Sequence, residues 1–584
     1  MRITKKHIKF LFFSSAIILC SLLCTFAIQL CNTFQINNDF EKYTDELFYT
    51  DVSANLLTLH YTLANPADFG ITNYSPSLGI YNPSMLTQSL ILENRIWILD
   101  KYSSDILNED NQLTKDILLL AYKTELLPGN QPLLYQNLSP TLGTQAQLPI
   151  LLAEYTFRNE QDIKDYIKAL TSIKPYFQSL LEFEQYKSQN GTFMSDKTAE
   201  RIMTQCSDFL ANPSENYLDS VFQEKIDSFS SLSDAQKSAY KSLHTRILSD
   251  YVYPAYQLLI EGLSMLQGTG KNSNGLCGFS GGKAYYEYLL KSNCGIYETI
   301  PQIQERLMFE IQQILSVCRD ILQKNPEFLH DSEQILNKSN DSPTEILKKL
   351  TSKIYEDFPI STIPTYDVKY VHKDLEEHLS PAFYLTPPID TLSPNTIYIN
   401  NHTQMDPIAL FTTLAHEGFP GHLYQTITFS QSNPPLIRQL LSMKGYSEGW
   451  ATYAETYSYS YLNVRPELAS LTCQNHLLNL CLFSYLDTKI HYDGWNLTDA
   501  CNFLDSFGIV NPDTQQEIFQ VIIEEPSNYL VYCMGYLHFV DLQSNIKTQL
   551  GNDFKIKNFH KVILEIGPCQ FPVLEHYAER KLLR

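Results

Sequence analysis

Apolar and polar residues recur along most of this chain at three- and four-residue spacing. The stretches 39–63, 86–107, 113–126, 161–188 and 233–266 each carry a stripe of Leu, Ile, Phe and Tyr with polar residues between. That pattern predicts amphipathic helices with one face turned to a core. Asn65-Pro66 and Pro128-Gly129 punctuate it. Residues 268–282 hold six glycines and read as one long loop, and such loops in a compact body tend to be functional. A second irregular region, 358–394, contains Pro359, Pro364, Pro381, Pro387, Pro388 and Pro394, with β-like runs at 365–371 and 396–400. No internal repeat or low-complexity tract is present. The expectation is one mainly α body over residues 35–584 with a small β-sheet.

One stretch breaks the pattern. Residues 10–30 carry no charge and follow the basic run Lys5-Lys6-His7-Ile8-Lys9. This is long enough to cross a bilayer as a helix, for which about 20 apolar residues suffice, and the basic flank is the orienting charge. Residues 1–34 are therefore expected to form a signal anchor, a single membrane helix with residues 35–584 outside the cytoplasm. Thr25-Phe26-Ala27 keeps a cleaved signal and a secreted product open. Leu19, Leu23 and Leu30, which precede Cys20, Cys24 and Cys31, are too bulky for a good lipoprotein signal.

Of the 584 residues 44% are apolar and 18% charged, so a large core can be buried. Lys and Arg number 43 against 64 Asp and Glu, a formal charge of −21. Arg2, Lys5, Lys6 and Lys9 all precede the first acid, Asp39, so the body is more acidic still. This excludes nucleic acid as a partner, because such binding needs clustered Lys and Arg. The twelve cysteines form no C-x-x-C pair, which argues against a zinc knuckle or a dense disulfide framework. Cys277 and Cys294 could pair, but buried free thiols are the expectation.

The candidate chemistry lies in Leu414-Ala415-His416-Glu417-Gly418-Phe419-Pro420-Gly421-His422. A His-Glu pair with a second His downstream is a zinc-hydrolase arrangement, in which two imidazoles bind the metal and the Glu takes a proton from water. The usual separation of the histidines is four, which puts both on one helical face. Here it is six, about 600° of helical rotation, which leaves them on different faces. Pro420 cannot continue a helix through His416, and Gly421 lets the chain loop and restart, which could swing His422 back. Two ordinary histidines near a helix end remain an alternative on spacing alone. Further on, Gly445-Tyr446-Ser447-Glu448-Gly449-Trp450-Ala451-Thr452-Tyr453-Ala454-Glu455 opens another helix, with Glu448 and Glu455 on one face. Glu448, followed by Gly449 and Trp450, sits where a free carboxylate is costly unless it is paired or ligates metal. It is the candidate third ligand, and Glu455 the partner of a ligating His. Both could instead be solvated charges on a helix face.

The two strings together resemble the signature of the bacterial "domain of unknown function 885" family, which is similar in turn to helical zincin peptidases such as the carboxypeptidase Taq group and the peptidyl-dipeptidases. Further landmarks are Leu59-His60-Tyr61-Thr62, Gly282-Lys283-Ala284-Tyr285-Tyr286, Pro381-Ala382-Phe383-Tyr384, Tyr398-Ile399-Asn400, Phe559-His560 and Phe571-Pro572-Val573-Leu574. The resemblance implies a large helical zincin-like metallopeptidase fold with one Zn2+ ion, His416, His422 and Glu448 as ligands, and Glu417 as general base. The family commonly has a doubled His after Pro-Gly, whereas His422 is followed here by Leu423. In Glu525-Pro526-Ser527-Asn528-Tyr529-Leu530-Val531-Tyr532, Ser527 and Asn528 stand where the family usually has Gly and Gln. Peptidyl-dipeptidases hold a similar Tyr-x-x-Tyr, which implies Tyr532 as oxyanion donor and Tyr529 as a substrate contact. With 38 tyrosines in the chain, packing is the alternative for either, and His538 reads as a core His. The function expected is an extracytoplasmic zinc-dependent peptidase acting on short peptides. A membrane-anchored descendant of the fold that binds peptides or envelope components without cleaving them is the alternative.

Overall fold

The computed structural model describes residues 5–583 apart from 84, 329–340, 360–361, 374–375, 377–379 and 403–404, and does not describe the side chains of residues 5–21, 24, 27, 28, 85, 86 and 215. The expected membrane segment, 10–30, thus lies mostly outside the residues with described side chains. Its backbone belongs to α1 (Lys5–Val52). Among the described residues no helix is long and apolar enough to cross a membrane.

The chain is mainly helical, as its periodicity predicts. Stretch 39–63 is broken where Asn55 caps a short helix, Leu56–Thr62, by accepting from the Thr58 N–H. Stretch 161–188 becomes α2 (Glu160–Gln189), which opens with a capping box of Asn159 and Asp162. Stretch 233–266 becomes Asp234–Ile247, a π-turn at Leu248–Val252, and α3 (Tyr253–Leu266). The π-turn ends two residues before Pro254, whose missing N–H interrupts the regular ladder. α2 and α3 pack together in one core cluster. Loop 268–282 ties itself to the C-terminal end of a later helix, its Leu276 N–H donating to the buried His491 Nδ1 at 3.0 Å.

The larger core cluster frames the site. α4 (Ile300–Lys324) lies at its edge. The sheet follows, with β1 (Tyr366–Tyr370), β2 (Ala382–Leu385) and β3 (Asn395–Ile399) in the order β1-β3-β2. β1 and β3 match the two β-like runs and pair in parallel, while β2 joins antiparallel with Phe383 opposite Tyr398. Next come α5 (Pro407–Glu417), α6 (His422–Gln431), α7 (Lys444–Ser458), α8 (Pro466–Thr488) and α9 (Asn528–Leu550). α8 packs along α4, and α7 packs along α9. All the cysteines with described side chains are free thiols, Cys277 and Cys294 included.

Two features fix α9. A Cβ at Gly449 would lie 2.5 Å from the Gly535 carbonyl carbon, so α7 and α9 touch backbone to backbone. Gly449→Ala gains roughly 0.5–1 kcal/mol in helix propensity, but the overpacking costs about 1–3 kcal/mol. Net destabilisation is expected in chemical denaturation, and an unchanged midpoint would contradict the close approach.

The second feature is the buried Asp487 at the end of α8. It accepts from the Tyr286 hydroxyl at 2.5 Å and from the Ser527 N–H at 3.1 Å, while Oδ2 has no hydrogen-bond partner among the described residues. Ser527 has φ 68°, in the left-handed region that favours glycine. Burial pushes the Asp487 carboxyl up to about 7 against the hydrogen bonds that hold it down. Between pH 3.8 and about 7 the folded chain keeps a proton that the unfolded chain releases, so stability is greatest at the acid end and falls as pH rises through that window. Asp487→Asn keeps an acceptor and removes the titration. Its stability over that window should lose a slope of up to roughly 1.4 kcal/mol per pH unit relative to wild type, and identical slopes would refute the assignment.

Candidate metal centre

α5 begins where the Asp406 carboxylate accepts from the Ile408 and Ala409 N–H groups. It ends at Glu417 because Gly418 leaves the helical region and Pro420 has no N–H to offer. The chain then doubles back. The Gly421 N–H reaches the Ala415 carbonyl at 2.9 Å, and the Tyr424 N–H reaches that of Gly418 at 3.1 Å. A Cβ at Gly421 would stand 1.8 Å from the His416 carbonyl oxygen, so only glycine passes. The buried Trp450 indole N–H donates to the Pro420 carbonyl at 2.9 Å and pins the loop to α7. α6 then starts at His422, and the two imidazoles come to 4.9 Å between centroids. The break at Pro420, not a continuous helix, thus reconciles the six-residue spacing. Leu423 is fully buried in the hydrophobic core, while His422 joins His416 and Glu448. The His of this chain's Pro-Gly-His is the one in position.

α7 supplies the carboxylates. Glu448 Oε2 lies 3.5 Å from His416 Nε2 and 3.3 Å from His422 Nε2. One ligand atom from each of these three residues falls within 4.8 Å of the others, a group that could hold a metal ion. Glu455, two turns on, meets the opposite side of the same ring, with Oε2 3.1 Å from His416 Nδ1. That contact orients the imidazole and leaves Nε2 toward Glu448. His476 on α8 stands 3.7 Å from the other Glu455 oxygen. It carries no motif, and a lone polar residue on a long helix gave no signal of its place here. Glu417 is anchored through Oε2 by the Tyr384 main-chain N–H of β2 at 2.9 Å, a contact between segments 33 residues apart that no string announces.

Tyr532 on α9 stacks on His416, with centroids 6.3 Å apart, and the Glu448 and Glu417 carboxylates, with burial, hold its proton on. Tyr529, one turn earlier, packs on Phe483 at 5.2 Å. It lies near Tyr532, and no hydrogen bond or ring contact joins it to the His-Glu cluster among the described residues. His538 is held between Glu298, at 2.9 Å, and Glu575, at 3.3 Å, and stacks on Phe571. Burial opposes its charge, but the two carboxylates overcome it and raise its pKa to about 9. It is a structural ion-paired residue, apart from the cluster.

Three carboxylates face two imidazoles in a largely buried space. Burial works against the charge on Glu448, but His422 and His416 prevail and hold it well below the usual carboxylate range. Glu417 goes the other way, raised by burial and by Glu448 against the pull of the histidines. Burial likewise opposes charge on His416, yet its contacts with Glu448 and Glu455 raise it well above 6.5. The potential here favours positive charge, whether a proton or a metal cation.

Comparison with known proteins gives a consistent picture at the level of fold. No curated protein matches. Among solved structures, one described as "the putative lipoprotein from Colwellia psychrerythraea" superposes with a TM-score of 0.82 at 20% identity, over 94% of this chain and 99% of that one. Another, "a putative lipoprotein of unknown function from Shewanella oneidensis", gives a TM-score of 0.63 at 16% identity, over 93% of this chain and 100% of that one. At these identities the likeness is one of fold alone. Residues 92–577, which carry the His-Glu strings, Glu448, Glu455 and both tyrosines, match the family described as "Bacterial protein of unknown function (DUF885)", and the chain belongs to that family.

Proposed function

We propose that this chain is a zinc-dependent peptidase of zincin type, acting on short peptides outside the cytoplasm and held at the membrane by residues 10–30. The observation that carries the reading is the convergence of His416, His422 and Glu448 within 4.8 Å, with Glu417 and Tyr532 beside them. Two imidazoles and one carboxylate, with one imidazole oriented by a further carboxylate, are the donor set of catalytic zinc. The descriptions of the two solved relatives as lipoproteins support a location at the cell envelope.

A zinc ion on these ligands supplies Lewis acidity and brings the pKa of water toward about 7. The remaining steps fall to the chain. Glu417, with Oε2 held by Tyr384, has a second oxygen to take the proton of the attacking water and pass it to the leaving amine. Its raised pKa suits a group that must both accept and donate near neutrality. Tyr532 keeps its proton well above pH 10, chiefly through burial and then through Glu448 and Glu417, so its O–H can donate to a developing oxyanion. The Asn400 N–H donates to the Pro381 carbonyl. By the alternation of antiparallel ladders, Ala382 and Tyr384 then turn their main-chain groups away from β3, on the side of Glu417. The Tyr384 N–H is taken by Glu417 and the Ala382 carbonyl accepts from the Ser380 hydroxyl at 2.9 Å, so an extended peptide would pair with the groups that remain on that edge.

The wild-type full chain should carry one zinc and cleave members of a mixed-peptide library scored by mass spectrometry. Glu417→Gln should keep the metal and lose roughly 10²–10⁴ in turnover. Tyr532→Phe should also keep the metal and lose roughly 10²–10³, while His422→Ala should lose stoichiometric zinc. A wild type as inert as Glu417→Gln, with both binding peptides alike, would replace this reading by that of a non-catalytic binder.

A further inference from the structure

An open cavity of about 920 Å³ lies at the N-terminal ends of α7 and α9. Its wall includes Glu125, Tyr135, Tyr285, Tyr288, Lys444 and Glu525. Lys444 is the first residue of α7, one turn before Glu448, about 6 Å along the axis. Glu525 leads into α9 ahead of Tyr529 and Tyr532. Lys444 thus ties the cavity wall to the helix that carries Glu448, and the axial step between these two residues is about the reach of two extended peptide residues.

We propose that this cavity binds a positively charged organic group, namely the basic side chain of a peptide whose scissile bond lies at the His-Glu cluster. The proposal rests on the peptidase reading for its choice of ligand. Three ionisable groups decide the sign. Glu125 and Glu525 outnumber Lys444, and Lys444 already acts on Glu525, so among the described residues Glu125 is the carboxylate of this wall without an ion pair. Glu125 Oε2 accepts from the Tyr288 hydroxyl at 2.8 Å. Glu525 Oε1 accepts from the Ser139 hydroxyl at 2.6 Å and from the Leu142 N–H at 3.2 Å. These bonds use one oxygen of each carboxyl, and the other has no hydrogen bond from the described residues. Burial raises both carboxyls above the usual range, a cost that a bound cation relieves. Tyr135, Tyr285 and Tyr288 in the wall are aromatic neighbours of the kind that attract an ammonium or guanidinium group. An anionic ligand would meet two carboxylates and a single ammonium. A cavity of this volume takes a long basic side chain together with part of its neighbour.

Binding rather than turnover tests the proposal. The full chain carrying Glu417→Gln is titrated calorimetrically with three pentapeptides of alanine, centred on lysine, norleucine or glutamate. The lysine peptide should bind about tenfold tighter than its norleucine isostere, as one charge-assisted hydrogen bond predicts, and the glutamate peptide weakest. Adding Glu125→Gln should erase most of that preference, and Glu525→Gln a smaller part, with unfolding midpoints recorded to verify folding. Equal affinities, a preference for glutamate, no binding of any peptide, or a lysine preference that survives both Gln substitutions would overturn the inference. A chain that never cleaves peptides yet shows the lysine contrast would sink the peptidase reading alone. A chain that cleaves without the contrast would sink only the basic subsite.

Discussion

The hydrogen bond from the Trp450 indole to the Pro420 carbonyl holds the site together. Trp450 lies on α7 two residues after Glu448, and Pro420 lies in the turn between His416 and His422. One buried contact thus sets the carboxylate of one helix against the histidines of two others. Leaving that carbonyl unpaired would cost about 1–3 kcal/mol, and the histidines would lose their common register. The neighbouring requirements are steric and unforgiving. Gly421 must clear the His416 carbonyl, and Gly449 must clear Gly535. The first admits the reversal of the chain, and the second brings α9, with Tyr532, against Glu448.

Within that frame, environment separates the roles of like residues. Glu417, Glu448 and Glu455 are three glutamates in one pocket. Glu448 faces both imidazoles and stays ionised. Glu455 faces His416 and His476 and is lowered likewise, the histidines outweighing its burial. Glu417, whose anchor is a main-chain N–H, is the one whose charge is disfavoured. A pocket that pushes similar groups apart in this way suits acid–base work more than simple scaffolding.

Much of this was legible in the strings His416–His422 and Glu448–Glu455, because the constraints on them are local. Pro420 and Gly421 announce the break, and the seven-residue spacing places both glutamates on one face. The contacts of Tyr384 and His476 were not legible, since each reaches the site from a distant element, Tyr384 from a strand too short to read and His476 from an ordinary long helix. Several family landmarks are scaffold: His60 stacks on Tyr155 at 3.5 Å, Tyr286 donates to Asp487, and His560 stacks on Phe358 at 4.1 Å. The glycine-rich loop 268–282 anchors to His491, a contact its glycines do not announce. The strand β2 hid among prolines, where no alternation runs long enough to read.

The central claim is that three side chains from three helices form one metal site. X-ray absorption at the zinc edge of the purified full chain tests it directly. The predicted result is one zinc per chain with a nitrogen and oxygen shell only, two imidazole nitrogens at about 2.0–2.1 Å and carboxylate or water oxygen at similar range. A shell containing sulfur, a single imidazole, or no bound zinc after loading would contradict it.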